Sequence, residues 1–178
     1  MIVDLYQEKG NLHYEGEGVC QLAHAWQCGM LAKEDGASEK LQLAAWLHDI
    51  GHILSKKDGS PTTYGYDDRH EQTGGNFLAQ LFSNEVSQPV LLHVLAKRYL
   101  VAIHPEYHDT LSPDSIRSLE LQGGPMTLAE CNEFISQPFA RDAIALRDWD
   151  DRGKDPHHQT PPMDDIINML SKLVETCR

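Results

Sequence analysis

The chain has 178 residues, 40% of them hydrophobic, and a net charge of −12, a composition typical of a soluble globular protein. The negative charge argues against a nucleic-acid backbone as the main partner. No apolar run approaches the roughly 20 residues of a membrane helix, and the N-terminus, MIVDLYQEKG, lacks the layout of a signal peptide. We therefore expect a cytoplasmic protein with a single domain over residues 1–178 and no membrane partner.

The first half of the chain contains two predicted helices and a loop. Apolar residues recur at helical spacing, and no segment shows the sustained alternation of a strand. One helix is expected to start near Gly16 and to run to the turn at Gly36. A second starts after Ser38, a good N-cap, and continues unbroken through EKLQLAAWLHDIGHIL. The stretch Ser55–Asp67, rich in Gly, Ser, Pro and Asp, is typical of a loop.

In the second half, capping residues mark the starts of two helices. Ser112 followed by Pro113 indicates an N-cap and the first helical position, and this helix ends at Gly123. Thr127 and Glu130 have the spacing of a capping box. The other predicted helices span residues 69–82, 84–100, 127–136, 138–152 and 163–176, with a linker over 156–162. The sequence therefore predicts an all-α protein.

The segment WLHDIGH points most directly to chemistry. An apolar run leads into His48 and Asp49, an imidazole and a carboxylate side by side, which suit iron, manganese or zinc. Burying a carboxylate is unfavourable unless it is paired or bound to a cation. A metal ion would supply that cation.

Four further candidate ligands lie on different predicted helices. They are His24, His70, His93 and Asp150. Packed helices can direct such side chains to one centre. Each of them alone is more often a hydrogen-bonded or surface residue, but their combination favours a metal site.

Charged neighbours accompany these candidate ligands at helical spacing. Residues three or four apart share one face of a helix. The pairs with this spacing are His93 with Lys97, Arg147 with Asp150, and His48 with His52. A metal centre surrounded by Lys97, Arg147 and His52 suits an anionic substrate, although the whole chain is acidic. The alternative is that these basic residues form a solvated helix surface.

Several segments match known proteins in chain order. His24, the His48-Asp49 pair and the distal Asp150 resemble the HD-domain superfamily of metal-dependent phosphohydrolases. More specific segments resemble a smaller group within it, the PhnZ-like di-iron oxygenases, which cleave the carbon–phosphorus bond of 1-hydroxyphosphonates. These segments are AKRYL from Ala96, QGGPMT from Gln122 and RDWD from Arg147, and YEGE from Tyr14 matches the same group.

The resemblance implies a single HD-domain helical bundle with a buried site for two iron ions, Fe2+ and Fe3+. The implied ligands of the first iron are His24, His48, Asp49 and Asp150. Asp49 would bridge to the second iron, which His70 and His93 complete.

The resemblance also implies a substrate pocket. Tyr14 would occupy the open iron position before the substrate arrives, and Glu17 would interact at the substrate end of the pocket. The residues that match positions around the phosphonate oxygens are Lys97, Arg147 and His52, with Ser115 or Ser118 as a further hydroxyl donor. The implied partners are O2 and a small phosphonate such as 2-amino-1-hydroxyethylphosphonate or a close analogue.

Two other functions use the same residue pattern. An HD-domain phosphohydrolase acting on a nucleotide or phosphate ester would share all six ligands, and a non-catalytic HD-domain sensor is the third alternative. The chain also departs from the expected pattern. Trp46 stands where a smaller residue is common, and the loop TTYGYDDR before His70 is particular to this chain. That loop is a candidate for recognising the carbon substituent of the substrate.

Overall fold

The computed structural model describes residues 1–12, 18–55 and 61–178. Over these ranges the chain forms ten α-helices, two short 3₁₀ helices at Pro61–Tyr64 and Pro105–Thr110, and no β-strand. The α-helices are α1 Ile2–Lys9, α2 Gln21–Glu34, α3 Glu39–Leu47, α4 Ile50–Leu54, α5 His70–Leu78, α6 Asn84–Ile103, α7 Pro113–Leu121, α8 Leu128–Ser136, α9 Ala140–Arg152 and α10 Met163–Thr176. The predicted all-α class is confirmed for this part of the chain. None of these helices is both long and apolar enough to cross a membrane.

Helix α6, with 20 residues, lies at the centre of the fold and packs against α3, α5 and α9. Helix α2 packs against both α3 and α9, so these helices share one core. Leu43, Leu47, Leu78 and Leu146 are fully buried there. Burial of each such leucine contributes about 1.5–3 kcal/mol. The helices that carry most candidate ligands are therefore also those that form the core.

The main difference from the sequence prediction lies at His48 and Asp49. We expected one unbroken helix, but α3 ends at Leu47 and α4 begins at Ile50. Asp49 has φ −97° and ψ 11°, outside the helical range. In a continuous helix, neighbouring side chains diverge by about 100°. Because the helix breaks here, His48 Nε2 and Asp49 Oδ2 come within 3.5 Å of each other.

Two further differences concern the N-terminal part. The helix expected from near Gly16 begins instead at Gln21, and Gly16 itself lies outside the described residues. Helix α1 was not predicted, because only Ile2 and Tyr6 among its 8 residues are buried. Such a short helix depends on tertiary contacts. The Tyr6 hydroxyl donates a hydrogen bond to the carbonyl of Trp46 at 3.0 Å.

The predicted helix caps are confirmed. The hydroxyls of Ser38 and Ser112 each accept a hydrogen bond from the main-chain amide three residues later, at 3.3 and 3.1 Å. Thr127 and Glu130 form both hydrogen bonds of the capping box. From α5 onwards, every predicted helix begins and ends within a few residues of its position in the structure. Capping residues therefore located the starts of α7 and α8, whereas the other helices were located by their apolar spacing.

Gly29 makes room for Trp46, the bulky residue noted in the sequence. The indole lies so close to Gly29 on α2 that a Cβ there would collide with it. We predict that Gly29→Ala lowers the free energy of unfolding by about 1–3 kcal/mol, the usual cost of overpacking. Urea unfolding measures this. Lys33→Ala, on the exposed side of the same helix, should stay within about 0.5 kcal/mol of the wild type. Equal stabilities of the two variants would contradict the prediction.

Candidate metal centre

Six side chains converge at the break between α3 and α4. They are the residues expected to bind metal: His24 on α2, His48 and Asp49 at the break, His70 at the start of α5, His93 on α6 and Asp150 on α9. His70 is slightly exposed, and the other five are at most 5% exposed. Tertiary packing thus brings together residues from distant parts of the chain.

The first group contains four ligand-type atoms. His24 Nε2 and His48 Nε2 are 3.2 Å apart. Asp49 Oδ2 is 3.5 Å from each of these nitrogens. Asp150 Oδ1 is 3.3 Å from His24 Nε2 and 3.6 Å from His48 Nε2. Atoms with these separations can share one metal ion at usual bond lengths of about 2.0–2.2 Å.

The second group lies on the other side of Asp49. Its Oδ1 atom is 3.5 Å from His70 Nε2 and 3.9 Å from His93 Nε2. The two histidine nitrogens are 3.1 Å apart. The two carboxylate oxygens of Asp49 therefore face different groups, which is the geometry of a bridging ligand.

The most buried histidines are oriented by main-chain carbonyls. Their Nδ1 atoms lie 2.9, 2.9 and 2.7 Å from carbonyl oxygens, in the pairs His24 with Gly153, His48 with Ala45 and His93 with Val90. Because a carbonyl can only accept, Nδ1 carries the hydrogen in each case. The Nε2 lone pairs are then directed into the cluster, as in histidines that bind metals.

The cluster also contains unsatisfied acceptors. Asp49 Oδ2 and Asp150 Oδ1 are buried and have no hydrogen-bond partner among the described residues. Burial acts to raise the pKa of Asp49, but the surrounding histidines, His48 foremost, hold it well below its ordinary value. A buried acceptor without a partner costs about 1–3 kcal/mol, which a bound cation would offset. Carboxylates and imidazole lone pairs together fit a transition metal, so the donor set of the cluster is that of a candidate metal site.

Lys97 supplies a buried cation next to the cluster. It lies one helical turn after His93 and is 3% exposed. Its ammonium donates a hydrogen bond to Ser118 Oγ at 2.6 Å, and Ser118 donates in turn to the carbonyl of Ser115 at 3.0 Å. Burial lowers the pKa of Lys97 to about 7, and the charge of Arg147 acts in the same direction.

Arg147 is equally buried, but its guanidinium forms ion pairs with acidic groups. Nη1 donates to Asp150 Oδ2 at 2.5 Å, and Nη2 donates to Asp151. Nε donates to the Tyr107 hydroxyl at 3.0 Å. In the structure Arg147 holds the outer oxygen of Asp150. The contact with the substrate that the resemblance implied stays a prediction. Only Nη2, 3.5 Å from Ser115 Oγ, also extends towards the pocket hydroxyls.

His52 lies beside the second group. Its Nε2 atom is 4.0 Å from Asp49 Oδ1, and its ring stacks on His70 with centroids 4.1 Å apart. The Nδ1 atom is 2.9 Å from Asp68 Oδ2. Burial alone would lower the pKa of His52, but Asp68 and Asp49 raise it above its ordinary value. His52 therefore adjoins the second group through Asp49 and His70, and its contact with a substrate stays a prediction.

Tyr14 and Glu17 lie outside the described residues, so their roles stay predictions. The histidines to which we assign no ligand role are His104, His108, His157 and His158. Within residues 1–12, 18–55 and 61–178, none of them belongs to a cluster that could hold a metal ion. Among the histidines that the structure describes, these four are therefore distinct from those of the cluster.

A family comparison agrees with this geometry. The model of the HD domain matches residues 21–130. The chain belongs to the HD-domain family. The matched range of the HD domain contains every clustered residue except Asp150, which follows on α9.

Similar proteins cover nearly the whole of this HD-domain chain. Hydroxymethylphosphonate dioxygenase from Gimesia maris is 41% identical over 98% of the chain and 87% of its own length. The glycine-betaine-forming [1-hydroxy-2-(trimethylamino)ethyl]phosphonate dioxygenase from Leisingera caerulea is 37% identical over 96% and 87%. An uncharacterized protein from Acanthamoeba polyphaga mimivirus is 35% identical over 95% and 78%. The resemblance inferred from the short segments is thereby confirmed.

Two polar residues near the site were missed from the sequence. Lys154 Nζ is 3.4 Å from Asp150 Oδ1 and 3.5 Å from Ser115 Oγ. Lys154 follows Asp150 by four residues but lies beyond the end of α9 at Arg152, so helical spacing does not extend to it. Asp68 contacts His52, but it lies in the segment TTYGYDDR before His70, where no periodicity marks such a residue.

The buried charge of Lys97 predicts a pH dependence of stability. Its folded pKa of about 7 lies below the value of about 10.4 for an unfolded chain. Below pH 7 both states are protonated, and the folded state bears the full cost of the buried ammonium. As the pH rises above about 7, only the folded state loses the proton, so its stability increases by up to about 1.4 kcal/mol per pH unit.

Lys97→Met removes this charge and should abolish the part of the rise in unfolding free energy with pH that comes from Lys97. The variant should exceed the wild type in stability most at about pH 6 and less at about pH 9. Urea unfolding at both pH values measures the difference. Ser118→Ala keeps the lysine, so its free energy of unfolding should rise with pH as in the wild type. A difference between Lys97→Met and the wild type that does not change with pH would show that Lys97 stays charged throughout.

Proposed function

We propose that this protein is a di-iron oxygenase that uses O2 to cleave the carbon–phosphorus bond of a 1-hydroxyphosphonate. The carbon that carries the hydroxyl and the phosphorus is oxidised, its bond to phosphorus breaks, and phosphate and a carboxylate are released. The substrate is 2-amino-1-hydroxyethylphosphonate or a close analogue. The observation that carries the proposal is the similarity, over nearly the whole chain, to two proteins named phosphonate dioxygenases.

The metal-site geometry supports two iron ions. The ligands we propose for the first ion are His24, His48, Asp49 and Asp150, and for the second Asp49, His70 and His93. Bound Fe2+ and Fe3+ would supply the redox chemistry for O2 and a Lewis acid for the substrate oxygens. Both groups use only nitrogen and oxygen donors, which suit iron.

The basic groups of the site are placed to bind an anion. Lys97 and Lys154 carry ammonium groups, and Ser115 and Ser118 contribute hydroxyls within hydrogen-bonding reach of them. A charge as buried as that of Lys97 acts more strongly on a phosphonate than it would in water. These local contacts explain how a chain with a net charge of −12 can bind an anionic substrate.

Arg147 and His52 have supporting roles in this proposal. Arg147 donates a hydrogen bond to Oδ2 of Asp150, so that Oδ1 stays directed at the first group. His52 borders the second group from the side of α4, and we assign it a contact with a phosphonate oxygen there. The resemblance assigns the open iron position to Tyr14 and the substrate end of the pocket to Glu17.

The test is a turnover assay with the iron-loaded protein. The substrates are hydroxymethylphosphonate, 2-amino-1-hydroxyethylphosphonate and its trimethylated analogue, with O2 uptake and phosphate release both recorded. We expect equal amounts of O2 consumed and phosphate released with at least one of them, and no phosphate release without O2. Phosphate release without O2 from a phosphate ester, by the manganese- or magnesium-loaded protein, would instead support the phosphohydrolase.

A further inference from the structure

We propose that Asp68 is a positioning residue that orients His52 and His70 together. His70 belongs to the second metal group, and His52 borders the substrate side of that group. The role of His52 towards substrate rests on the proposed function, whereas the link from Asp68 to the two rings rests on geometry. One carboxylate would thus set the position of a metal ligand and of a substrate contact at the same time.

The two oxygens of Asp68 contact the two imidazole rings separately. Oδ2 is 2.9 Å from His52 Nδ1, and Oδ1 is 3.1 Å from His70 Nδ1. A carboxylate only accepts hydrogen bonds, so each Nδ1 carries the hydrogen. The rings stack with centroids 4.1 Å apart and an interplanar angle of 21°. The rotation of both rings is therefore fixed by one side chain.

The main chain around Asp68 is held in an uncommon conformation. Arg69, between Asp68 and His70, has φ 51° and ψ 43°, a left-handed conformation that few residues other than glycine adopt. This bend lets Asp68 Oδ1 accept a second hydrogen bond, from the main-chain amide of His70 at 3.3 Å. Such conformations persist where the surrounding structure enforces them.

Contact between α4 and α5 places the two rings over each other. Gly51 lies so close to the carbonyl of His70 that a Cβ would collide with it. A Cβ at Gly74 would be 3.1 Å from the main-chain nitrogen of Gly51. The two helices therefore meet at their backbones. As a result, His52, the residue after Gly51, is near enough to His70 for one carboxylate to reach both.

Both rings direct Nε2 towards the same oxygen. His70 Nε2 is 3.5 Å and His52 Nε2 is 4.0 Å from Asp49 Oδ1. Loss of Asp68 would therefore loosen the metal ligand and the substrate contact together. A third metal ion held by His52, Asp68 and His70 is the alternative use of these side chains. The distances of 2.9 and 3.1 Å are those of direct hydrogen bonds, which favours positioning.

The first test is metal retention in Asp68→Ala and Asp68→Asn, with Asp67→Asn as control. Asp67 accepts a hydrogen bond from the main-chain amide of Arg69 at 3.2 Å, which Asn can also do. Competition with a chelator should show one of the two iron ions held about 10- to 100-fold more weakly in Asp68→Ala. The other iron ion of Asp68→Ala, and both iron ions of Asp67→Asn, should be retained as strongly as in the wild type. Asp68→Asn keeps one of the two hydrogen-bond acceptors, and it serves as the test variant if Asp68→Ala does not fold.

The second test is a double-mutant cycle with His52→Gln, measured as kcat/KM in fully iron-loaded protein. If Asp68 orients His52, the loss caused by His52→Gln should be at least about fivefold smaller in the Asp68→Ala background. NMR of the zinc-loaded protein provides a readout that needs no turnover. The Nδ1–H resonances of His52 and His70 should shift or disappear in Asp68→Ala and persist in Asp67→Asn.

Three results would overturn the role of Asp68. They are wild-type metal retention in Asp68→Ala, unchanged Nδ1–H resonances, and a third metal ion per chain that is lost with Asp68. If the losses of kcat/KM in Asp68→Ala and His52→Gln multiply in the double variant, Asp68 does not act through His52. If the wild type turns over none of the hydroxyphosphonates, the proposed function fails. Metal retention and NMR still decide the role of Asp68 in that case.

Discussion

Asp49→Ala should release at least one metal ion per chain and reduce hydroxyphosphonate turnover below detection. Oδ2 of Asp49 faces His24 and His48, whereas Oδ1 faces His70 and His93. One substitution therefore removes a donor from both groups. The measurements are iron per chain after loading and gel filtration, and turnover under air.

The metal-free forms separate a loss of metal from a loss of fold. The histidines that hold the pKa of Asp49 low favour its ionised form in the folded state, so metal-free Asp49→Ala should unfold at a lower urea concentration than the metal-free wild type, but still in one cooperative transition. His104→Ala removes an imidazole that is 57% exposed and should change neither iron content nor turnover. Near-normal iron and turnover in Asp49→Ala would show that Asp49 is not the bridge.

Lys97→Ala should lower kcat/KM for a hydroxyphosphonate by roughly ten- to a hundredfold, because a charge-assisted hydrogen bond contributes about 1.5–3 kcal/mol. Its iron content should stay near that of the wild type, since Lys97 is not among the six clustered residues. Steady-state kinetics with iron-loaded protein measure the effect. If Lys97 belonged to a solvated surface, kcat/KM would not change, but its burial to 3% exposure argues against that alternative.

Arg147→Lys should differ from Lys97→Ala in its effect on metal. An ammonium cannot reproduce the planar fork that holds Asp150 and Asp151 together. We therefore expect weaker iron retention as well as a lower kcat/KM. Arg117→Lys is the control, because Arg117 is 43% exposed and pairs with Asp114 on its own helix. Unchanged kcat/KM in both Lys97→Ala and Arg147→Lys would mean that the anion pocket lies elsewhere.

Residue chemistry and helical spacing were enough to predict most of the cluster. His48 and Asp49 stood out because an apolar run rarely ends in an imidazole and a carboxylate without a partner for the charge. Lys97 could be predicted because it shares a helix face with His93. The caps at Ser38, Ser112 and Thr127 placed helix starts because they depend on hydrogen bonds within a few residues.

Tertiary structure decided the features that depend on distant residues. The guanidinium of Arg147 pairs with Asp150 and Asp151 on its own helix, as helical spacing allows, but its hydrogen bond to Tyr107, 40 positions away, depends on tertiary packing. Asp68 lies in the segment TTYGYDDR before His70 and became part of the site because α4 and α5 meet at Gly51. Helical periodicity relates only residues on one helix, whereas packing between helices sets which groups meet across them. For that reason the sequence by itself determined the chemistry of the cluster and of its neighbours on the same helix, and the tertiary structure alone decided which groups of different helices meet.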